Sequence, residues 1–544
     1  MKKTFRTATG LTGAAVTAAL LTLTACGGEA DKPAADPSGS DKPAAGAPAN
    51  MNASGLPIVK EKVTINIAGF KGAVSKDFDT LPFFKETEEK TNIHIKWDMH
   101  PGSSWKEKKN LLFASGELPE ALYGHYILET DEVVKYGSQG IFIPLEGLID
   151  KYAPNFKKLL DDNPEYKKEL TAPDGHIYSL PTIDEGYPDS RDAMFINKKW
   201  LDKLNMKIPE TTEEFYAALK AFKDNDMNGN GKKDEIPFSF RVHANTGLFS
   251  FFGAFGLPDR PDHIVMKGDK VVYSAVQPEY KEAVQYMNRL FKEGLADPES
   301  FTHDEKVYYA KIRGQEQTVG AFSAWSINTV FGASAGTDYV PLPPLKGPKG
   351  DRSWNRLPVG ILSKGSFAIT SKNKNPEITM RWIDYMYDPM VSLQAVDGVL
   401  GTNIKLRDDG KIEYLPVPSG MNSNEFRHST APASTSVFAK TRAIRDKTIQ
   451  SEASLEKSAL DQLYKPYLVK DIYPNVFFTA EENDNRLRYF VDIDAYVNKM
   501  YAKWMMQGGL DAEWGEYTKK LNEMGLDKMV GIYQDAYNRY KSVK

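Results

Sequence analysis

The sequence contains one cysteine among its 544 residues. A single cysteine excludes an intrachain disulfide and a metal cage built from cysteine ligands. An excess of charge of one sign is also lacking, since 69 Lys and Arg stand against 73 Asp and Glu. This balance argues against nucleic-acid binding, which usually requires a basic surface. Long apolar runs are confined to the extreme N-terminus, which excludes a protein with several membrane spans.

Motifs of several common enzyme classes are lacking as well. The eight histidines form no H-E-x-x-H motif, and neither a Walker loop nor a G-x-G-x-x-G loop occurs. Close pairs of carboxylates carry little information here, because 73 acidic residues produce them by chance. Missing motifs alone do not exclude an enzyme, so a surface polysaccharide hydrolase remains the alternative to a binding protein.

The N-terminus has the pattern of a bacterial export signal. Lys2, Lys3 and Arg6 precede an apolar stretch at residues 8–23, and the sequence L-T-A-C-G follows at residues 23–27. This order predicts a signal peptide over residues 1–25. Cys26 would become the new N-terminus and resembles the acylated cysteine of a lipobox. An ordinary cleaved signal with an incidental free cysteine is the alternative.

Residues 26–57 are predicted to form a flexible tether. From residue 27 to about residue 55 the composition is dominated by Ala, Pro, Gly, Ser, Asp and Lys, which leaves almost nothing to bury. With lipid on Cys26, this segment would hold a folded body at the outer face of the bacterial cell membrane. More than one acyl chain is needed for stable anchoring.

The folded part of the chain has an α/β pattern. Residues 63–68 alternate as a strand, residues 79–91 favour a helix, and residues 93–97 favour a second strand. Strands that alternate with helices indicate βαβ units and a largely parallel sheet. The last 150 residues or so are mostly helical in pattern. No fixed-period repeat is visible, which argues against a solenoid.

Several segments together resemble extracellular solute-binding lipoproteins. Residues 105–120 (WKEKKNLLFASGELPE) are similar to their ASGDLPD region, residues 174–181 (DGHIYSLP) to their DGKIYGLP strand, and residues 197–204 (NKKWLDKL) to their RKDWLDKLG helix start. Residues 320–325 (GAFSAW) resemble the strand after which maltose-type binding proteins place a sugar-facing tryptophan. The tail at residues 524–540 is similar to the end of LplA/LipO-type lipoproteins.

The resemblance implies a substrate-binding protein of an ABC importer, of the solute-binding family 1 type that includes alginate-oligosaccharide binders. Its α/β, periplasmic-binding-protein-like fold has two interleaved lobes, a hinge, a ligand cleft and a helix-rich C-terminus. On this pattern the first lobe comprises residues 58–188 and about 355–392. The second lobe comprises residues 189–354 and about 393–544. The chain would cross near residues 185–192, 355–365 and 390–400.

A loop rich in Asp, Asn and Gly predicts a structural calcium site. Residues 224–235 (DNDMNGNGKKDE) match D-x-[DN]-x-[DN]-G-x5-E, and hard cations such as calcium prefer oxygen ligands of this kind. A second register also fits, and the resemblance to the solute-binding family favours it. A polar turn without metal is the alternative. In the second register the ligands are Asp226, Asn228, Asn230, the Lys232 carbonyl, Asp234 and Glu235.

Candidate ligand contacts are mainly aromatic residues, because sugars offer apolar faces to flat rings. Trp325 follows the strand at residues 320–324, and a buried core position is its alternative. Tyr187 and Arg191 flank the first predicted crossing in a turn-rich segment. A hinge lies beside the cleft, so these two side chains are expected to reach a ligand.

For three further candidate ligand contacts, a position in the core or on the surface is a stronger competing interpretation. Trp105 begins a helix, where free N–H groups can hold hydroxyls, but it could equally pack in a core. Trp354 lies between Arg352 and Arg356 near the return crossing, where a solvated surface is the competing interpretation. Tyr123 ends the third early strand. All three are predicted to line the cleft.

These expectations combine into one functional prediction. The protein would be a monomeric, lipid-anchored lipoprotein that captures an oligosaccharide by lobe closure and delivers it to the transmembrane subunits of an ABC permease. Calcium is the expected cofactor, and nucleic acid is not an expected partner. A peptide-binding component of the same importer class is a further alternative.

Overall fold

The computed structural model describes residues 48–543, except residues 73, 243–247, 333–336, 359 and 422. The predicted signal peptide, Cys26 and the tether as far as residue 47 lie outside the described residues. All described residues belong to one compact unit. Within them, no helix combines the length and the apolar character that a membrane crossing requires.

The described residues form fourteen strands, most of which are partly or fully buried. In β1, Ile65 is buried and Asn66 exposed, but Ile67, Ala68 and Gly69 are buried in succession. β5 is buried along its whole length, as expected for a central strand. The strands are β1 Val63–Lys71, β2 Ile93–Pro101, β3 Ala121–Tyr123, β4 Leu180–Asp184, β5 Ala193–Asn197, β6 Ile236–Ser239, β7 Ile264–Lys267, β8 Lys270–Tyr273, β9 Val319–Ala324, β10 Tyr339–Leu342, β11 Gly360–Ile369, β12 Ile404–Leu406, β13 Ile412–Tyr414 and β14 Ala439–Lys440.

Within the same described part of the chain, twenty α-helices connect and cover these strands. They are α1 Pro82–Thr91, α2 Trp105–Ser115, α3 Thr130–Ser138, α4 Glu146–Tyr152, α5 Pro154–Asp162, α6 Pro164–Leu170, α7 Lys198–Lys203, α8 Thr212–Asp224, α9 Leu248–Phe251, α10 Pro278–Lys292, α11 Glu305–Ile312, α12 Ile327–Phe331, α13 Pro376–Met386, α14 Pro389–Asp397, α15 Ser423–His428, α16 Arg442–Lys447, α17 Glu452–Tyr464, α18 Ala480–Gln507, α19 Leu510–Glu523 and α20 Leu526–Ser542.

Local sequence signals account for several helix starts. Thr211 and Glu214 form a capping box at the start of α8, and Thr479 and Glu482 form another at α18. Proline occupies the first turn of α10, α13 and α14, where its fixed φ suits a helix. Pro154 begins α5 directly after α4 ends, again in the first turn of the helix.

The first sheet has the strand order β14-β4-β11-β3-β1-β2. β1 pairs in parallel with β2, from Val63 opposite Ile93 to Lys71 opposite Pro101, and also in parallel with β3. β11 is antiparallel to both β3 and β4. β4 leaves the sheet toward the second sheet and β11 returns from it, so the two strands must run in opposite directions. The predicted βαβ unit and parallel pairing are confirmed for β1, β2 and β3, whereas the two antiparallel pairings of β11 make the whole sheet mixed.

The second sheet has the order β10-β5-β9-β6. β5 is antiparallel to β9 and β10, whereas β6 and β9 are parallel. Two separate hairpins, β7–β8 and β12–β13, complete the strands of the described residues. The two larger sheets are the centres of two lobes, with a helix-rich C-terminal region, as the sequence predicts.

Buried side chains separate into clusters that follow this division. One cluster joins β1, β4 and β11 to α13, and another joins β5, β6 and β9 to α10 and α18. We call the parts around these clusters the first and the second lobe. The C-terminal helices α18, α19 and α20 belong to the second cluster through residues such as Trp504, Tyr517 and Tyr533.

The predicted third crossing near residues 390–400 is wrong. β14 pairs in parallel with β4 in the first sheet, and Val437 and Ala439 pack in the first-lobe core. The residues that next join the second-lobe core are Leu460 and Tyr464 of α17. We therefore propose that the third crossing lies between β14 and α17. A two-residue strand carries too little pattern to be found from sequence.

The predicted tether extends too far toward the folded body. Met51 forms a β-bridge with Val59, and its side chain is only 6% exposed within the first-lobe core. Residues 48–57 are therefore ordered against the first lobe. A single methionine in a polar segment gives little sequence signal for burial.

The segment before α18 contacts both lobes. Tyr473 and Val476 pack in the second-lobe core, whereas the neighbouring Phe477 inserts its ring among first-lobe residues that include Trp105 and Tyr178. Lys364 of β11 lies with its Nζ 4.1 Å from the centre of the Phe477 ring and donates a hydrogen bond to the Asn475 carbonyl. We call residues 473–478 the bridging segment.

Candidate functional site

Two predicted ligand residues meet where the chain passes from the first sheet to the second. Trp325 directly follows β9 and is half-buried. Its ring centre lies 5.9 Å from that of Tyr187, with 54° between the ring planes. Tyr187 belongs to the crossing segment between β4 and β5. The structure therefore brings these aromatic side chains, from distant parts of the sequence, to one place between the lobes.

Lys457 of α17 completes this aromatic site and was missed by the sequence analysis. Its Nζ lies 4.3 Å from the centre of the Trp325 ring and donates a 2.6 Å hydrogen bond to the carbonyl of Arg191. Burial lowers the pKa of Lys457 to about 8, although Asp461 and Asp192 act in the opposite direction. A lysine within an amphipathic helix pattern gives no signal for this role.

Arg191 and Asp192 lie at the end of the same crossing. Arg191 Nε is 3.5 Å from Asp192 Oδ2, and the Arg191 side chain is 46% exposed whereas that of Asp192 is 6% exposed. Burial raises the pKa of Asp192 to about 6, against the opposing charges of Arg191, Lys457 and Arg241. The predicted Arg191 is thus close to the aromatic site, and its buried neighbour was missed.

Helix α17 also fixes the backbone of the crossing. The Asp461 carboxylate accepts hydrogen bonds from the N–H groups of Asp189 and Ser190, at 2.8 and 3.0 Å, and from the Ser190 hydroxyl at 2.5 Å. Charge-assisted hydrogen bonds of this kind are stronger than neutral ones. The crossing and α17 are therefore held as one unit beside Trp325.

A cavity of about 660 Å³ opens beside this aromatic site. Tyr187 lines it together with residues of the loop after β3, the bridging segment and the start of α18. Its aromatic lining consists of Tyr126, Tyr187, Tyr473, Phe478 and Tyr533, and its charged or amide lining includes Glu129, Asp131, Arg260, Asp262, Asn483 and Arg486. Flat rings with a few convergent polar groups are typical of small-molecule sites.

Three predicted ligand residues lie in the protein core instead of the cleft. Trp105 is 5% exposed and its Nε1–H donates to the Ile127 carbonyl. Tyr123 is 0% exposed, and its hydroxyl accepts a hydrogen bond from the Val437 N–H. Each ring is surrounded by protein, and neither side chain belongs to the cavity lining described above.

Trp354 is also a core residue, at 1% exposure. Its Nε1–H donates to the Asp192 carbonyl at 3.1 Å, and its ring packs edge-on against Tyr464. The flanking arginines suggested an exposed, ligand-facing position. Arg352 lies 4.2 Å from the ring centre of Tyr467, and Arg356 lies 3.7 Å from Asp189, so both flanking charges are satisfied by protein groups.

The predicted calcium loop folds around Asp226. The Asp226 carboxylate accepts hydrogen bonds from the N–H groups of Gly229 and Gly231, at 2.7 and 2.9 Å. Both glycines have positive φ, 78° and 77°, which other residues adopt only with strain. Asn228 and Asn230 each donate from Nδ2 to one oxygen of Asp234, at 3.2 and 2.9 Å. The predicted side chains therefore converge from both ends of the loop.

The donor set of this loop fits a hard cation. The six predicted ligands all offer oxygen, from carboxylates, amides and one backbone carbonyl. The two asparagine amides would have to turn so that Oδ1 faces inward, and the Glu235 carboxylate, which accepts from the Met227 N–H at 2.7 Å, would have to exchange that bond. Among the described residues, no group of three or more His, Cys, Asp or Glu side chains is placed to hold a metal ion.

Comparison with known proteins identifies the family. The family described as bacterial extracellular solute-binding protein matches residues 63–391. The chain belongs to this family. The family is one of binding proteins rather than enzymes, and its relatives share the two-lobed α/β fold described above.

Similar proteins extend this result over nearly the whole chain. The fructooligosaccharide ABC transporter substrate-binding protein FusA of Streptococcus pneumoniae is 36% identical over 502 residues, which is 89% of this chain and 92% of FusA. The solved structure of FusA in complex with kestose gives a TM-score of 0.72 at 35% identity, covering 88% of this chain and all of the solved FusA chain. Lipoprotein LipO of Bacillus subtilis is 24% identical over 345 residues, 61% of this chain and 65% of LipO.

Proposed function

We propose that this protein is the substrate-binding component of an ABC importer and captures an oligosaccharide between its two lobes. The observation that carries the proposal is the aromatic site of Tyr187 and Trp325, which lies between the lobes beside a cavity of about 660 Å³. The relationship to FusA, a fructooligosaccharide-binding protein, supports a short oligosaccharide as the ligand. In this proposal a sugar ring packs on Trp325 and Tyr187, and Arg191 and Asp192 bind hydroxyl groups.

Lobe closure provides the mechanism. The aromatic site contains a crossing residue, Tyr187, and a second-lobe residue, Trp325, whereas Tyr126 and Glu129 reach the cavity from the first lobe. A ligand that touches both sides binds the closed form better and shifts the equilibrium toward it by that difference in affinity. The closed form would be the one recognised by the permease subunits.

A thermal-shift screen tests the ligand class. Neutral and acidic oligosaccharides and extended peptides are added separately to the purified protein, and the medium is then analysed for cleaved products. We expect a rise in Tm with a neutral oligosaccharide and no product. Cleavage of a glycan would contradict the proposal and support a surface polysaccharide hydrolase. A response to peptides alone would favour a peptide-binding component.

Anchoring through Cys26 is part of the proposal. A lipid on this cysteine would keep the folded body close to the membrane permease, and residues 27–47 would separate the two. Mass spectrometry of the membrane fraction should detect an N-terminal peptide that begins with acylated Cys26. A cleaved, unmodified N-terminus in the culture medium would contradict this.

A structural calcium ion at Asp226, Asn228, Asn230, Lys232, Asp234 and Glu235 is also proposed. The convergence of these side chains supports it, and an EF-hand mutant of the relative FusA has been solved in complex with fructo-nystose. The loop joins α8 to β6, and β6 belongs to the second sheet. The ion would therefore stabilise the second lobe and take no part in ligand chemistry.

A further inference from the structure

Three of the four arginines that line the ligand cavities are paired with the protein's own carboxylates. A smaller cavity of about 160 Å³ shares Arg260 and Pro358 with the larger cavity and is also lined by Arg191 and Arg356. Arg260 Nε lies 3.3 Å from Asp262, and Arg356 Nε lies 3.7 Å from Asp189. Arg191 lies 3.5 Å from Asp192, as described above.

The fourth arginine, Arg486 of α18, is held by neutral groups. It donates to the Asn483 amide oxygen at 2.7 Å and to the Tyr533 hydroxyl at 3.1 Å. Its guanidinium lies 4.7 Å from the centre of the Phe478 ring. Arg486 is thus oriented by the cavity wall before any ligand binds.

The charges of the two linings balance. Four arginines (Arg191, Arg260, Arg356 and Arg486) face four carboxylates (Glu129, Asp131, Asp192 and Asp262). At Arg191, Arg260 or Arg356 an acidic sugar would have to approach an arginine that already has a carboxylate beside it, and the two like charges would repel each other. At Arg486 it would enter a cavity that Glu129, Asp131 and Asp262 also line. A sugar hydroxyl has no such conflict, because it can donate to the carboxylate and accept from the arginine.

We infer that the cavity selects uncharged oligosaccharides over those that contain uronic acids, and that Asp262 and Asp189 enforce this choice by pairing with Arg260 and Arg356. This inference rests on the proposed function and specifies the ligand class. Removal of either carboxylate leaves an unpaired arginine at the cavity wall, which is a suitable partner for a sugar carboxylate.

Isothermal titration with trisaccharides of equal length tests the inference. Kestose, maltotriose and raffinose represent neutral ligands, and trigalacturonate represents acidic ones. The wild type should bind its best neutral trisaccharide at least about 100-fold more tightly than trigalacturonate. Affinity for the neutral ligand should also be the same at low and high salt, since no net charge is transferred.

The variants Asp262→Asn and Asp189→Asn identify the cause of the selectivity. Either change should tighten trigalacturonate binding by about tenfold, most strongly at low salt, because it exposes one arginine to the ligand. Asp269→Asn is the matched control, since Asp269 pairs with Lys541 at 2.7 Å on a hairpin away from both cavities. It should leave both affinities unchanged.

Each outcome has a defined meaning. Trigalacturonate binding within tenfold of the best neutral ligand in the wild type would overturn the inference but leave the proposed function standing. Selectivity that neither variant reduces would overturn the role of the arginine–carboxylate pairs. Failure of every glycan, neutral or acidic, to bind would instead contradict the proposed function itself.

Discussion

Asp192 places an ionisable carboxyl group at the buried end of the crossing between β4 and β5. Its pKa is raised to about 6, so the folded protein holds this proton over a pH range in which the unfolded chain has lost it. Protonated Asp192 therefore stabilises the folded protein. This contribution is complete below about pH 4, the pKa of an Asp side chain in the unfolded chain, and is lost as the pH rises through about 6. Above that, a buried negative charge remains beside Arg191 and Lys457.

The variant Asp192→Asn should remove this dependence. Relative to the variant, the wild type should lose about 1–3 kcal/mol of stability between pH 4 and pH 6.5. Thermal melts of both proteins across this range measure the difference, and all other titrating groups cancel in the comparison. A difference that stays constant with pH would contradict the raised pKa.

At the scale of elements, the first prediction concerns the calcium loop and the stability of the protein. We expect chelation with EGTA to lower the Tm and added calcium to restore it, because an ion that binds only the folded loop stabilises the protein. The variant Asp234→Ala, which removes two loop acceptors, should have a low Tm that calcium does not raise. An unchanged melt after chelation of the wild type would show that the loop holds no calcium.

The second prediction at this scale concerns the bridging segment, residues 473–478. Phe477 is 4% exposed in a first-lobe cluster, although its neighbours Tyr473 and Val476 belong to the second-lobe core. Phe477→Ala should cost about 3–5 kcal/mol of stability through the cavity that it leaves. It should also increase the radius of gyration of the ligand-free protein in X-ray scattering, because one attachment between the lobes is lost.

The adjacent Phe478 offers a matched control. Its ring contacts Arg486 and Tyr533, which belong to the same C-terminal helices, so it does not join the two lobes. Phe478→Ala should leave the radius of gyration unchanged. An equal expansion in both variants would indicate general loosening and contradict a bridging role for Phe477.

For the whole molecule, sequence patterns predicted the elements better than their arrangement. The alternation in β1 and β2 and the motifs around α2 and α7 identified these elements within a few residues. The direction of β11 and the pairing of β14 with β4 depend on where the chain returns from the second lobe, and local pattern contains no information on that. Mixed topology and the third crossing could therefore not be derived.

In the candidate site, too, local sequence pattern gave little information on contacts between segments that lie far apart in the chain. Trp325 was predicted from its position after a buried strand, which is a topological feature that sequence can show. Trp354 was misplaced because flanking charges do not reveal that Arg352 stacks on Tyr467. Lys457 and the arginine–carboxylate pairs join segments that lie far apart in sequence, so they become visible only in the folded structure.

The central claim is that an oligosaccharide binds at the aromatic site between the lobes. Titration of the best neutral oligosaccharide into the wild type, Trp325→Ala and Trp514→Ala by calorimetry tests it most directly. Trp514 is a fitting control, because it is also half-buried and has Lys281 5.9 Å from its ring centre, but it lies on α19. We expect saturable binding of one ligand, a loss of roughly 30-fold or more in affinity for Trp325→Ala, and wild-type affinity for Trp514→Ala. Full affinity in Trp325→Ala would contradict the account.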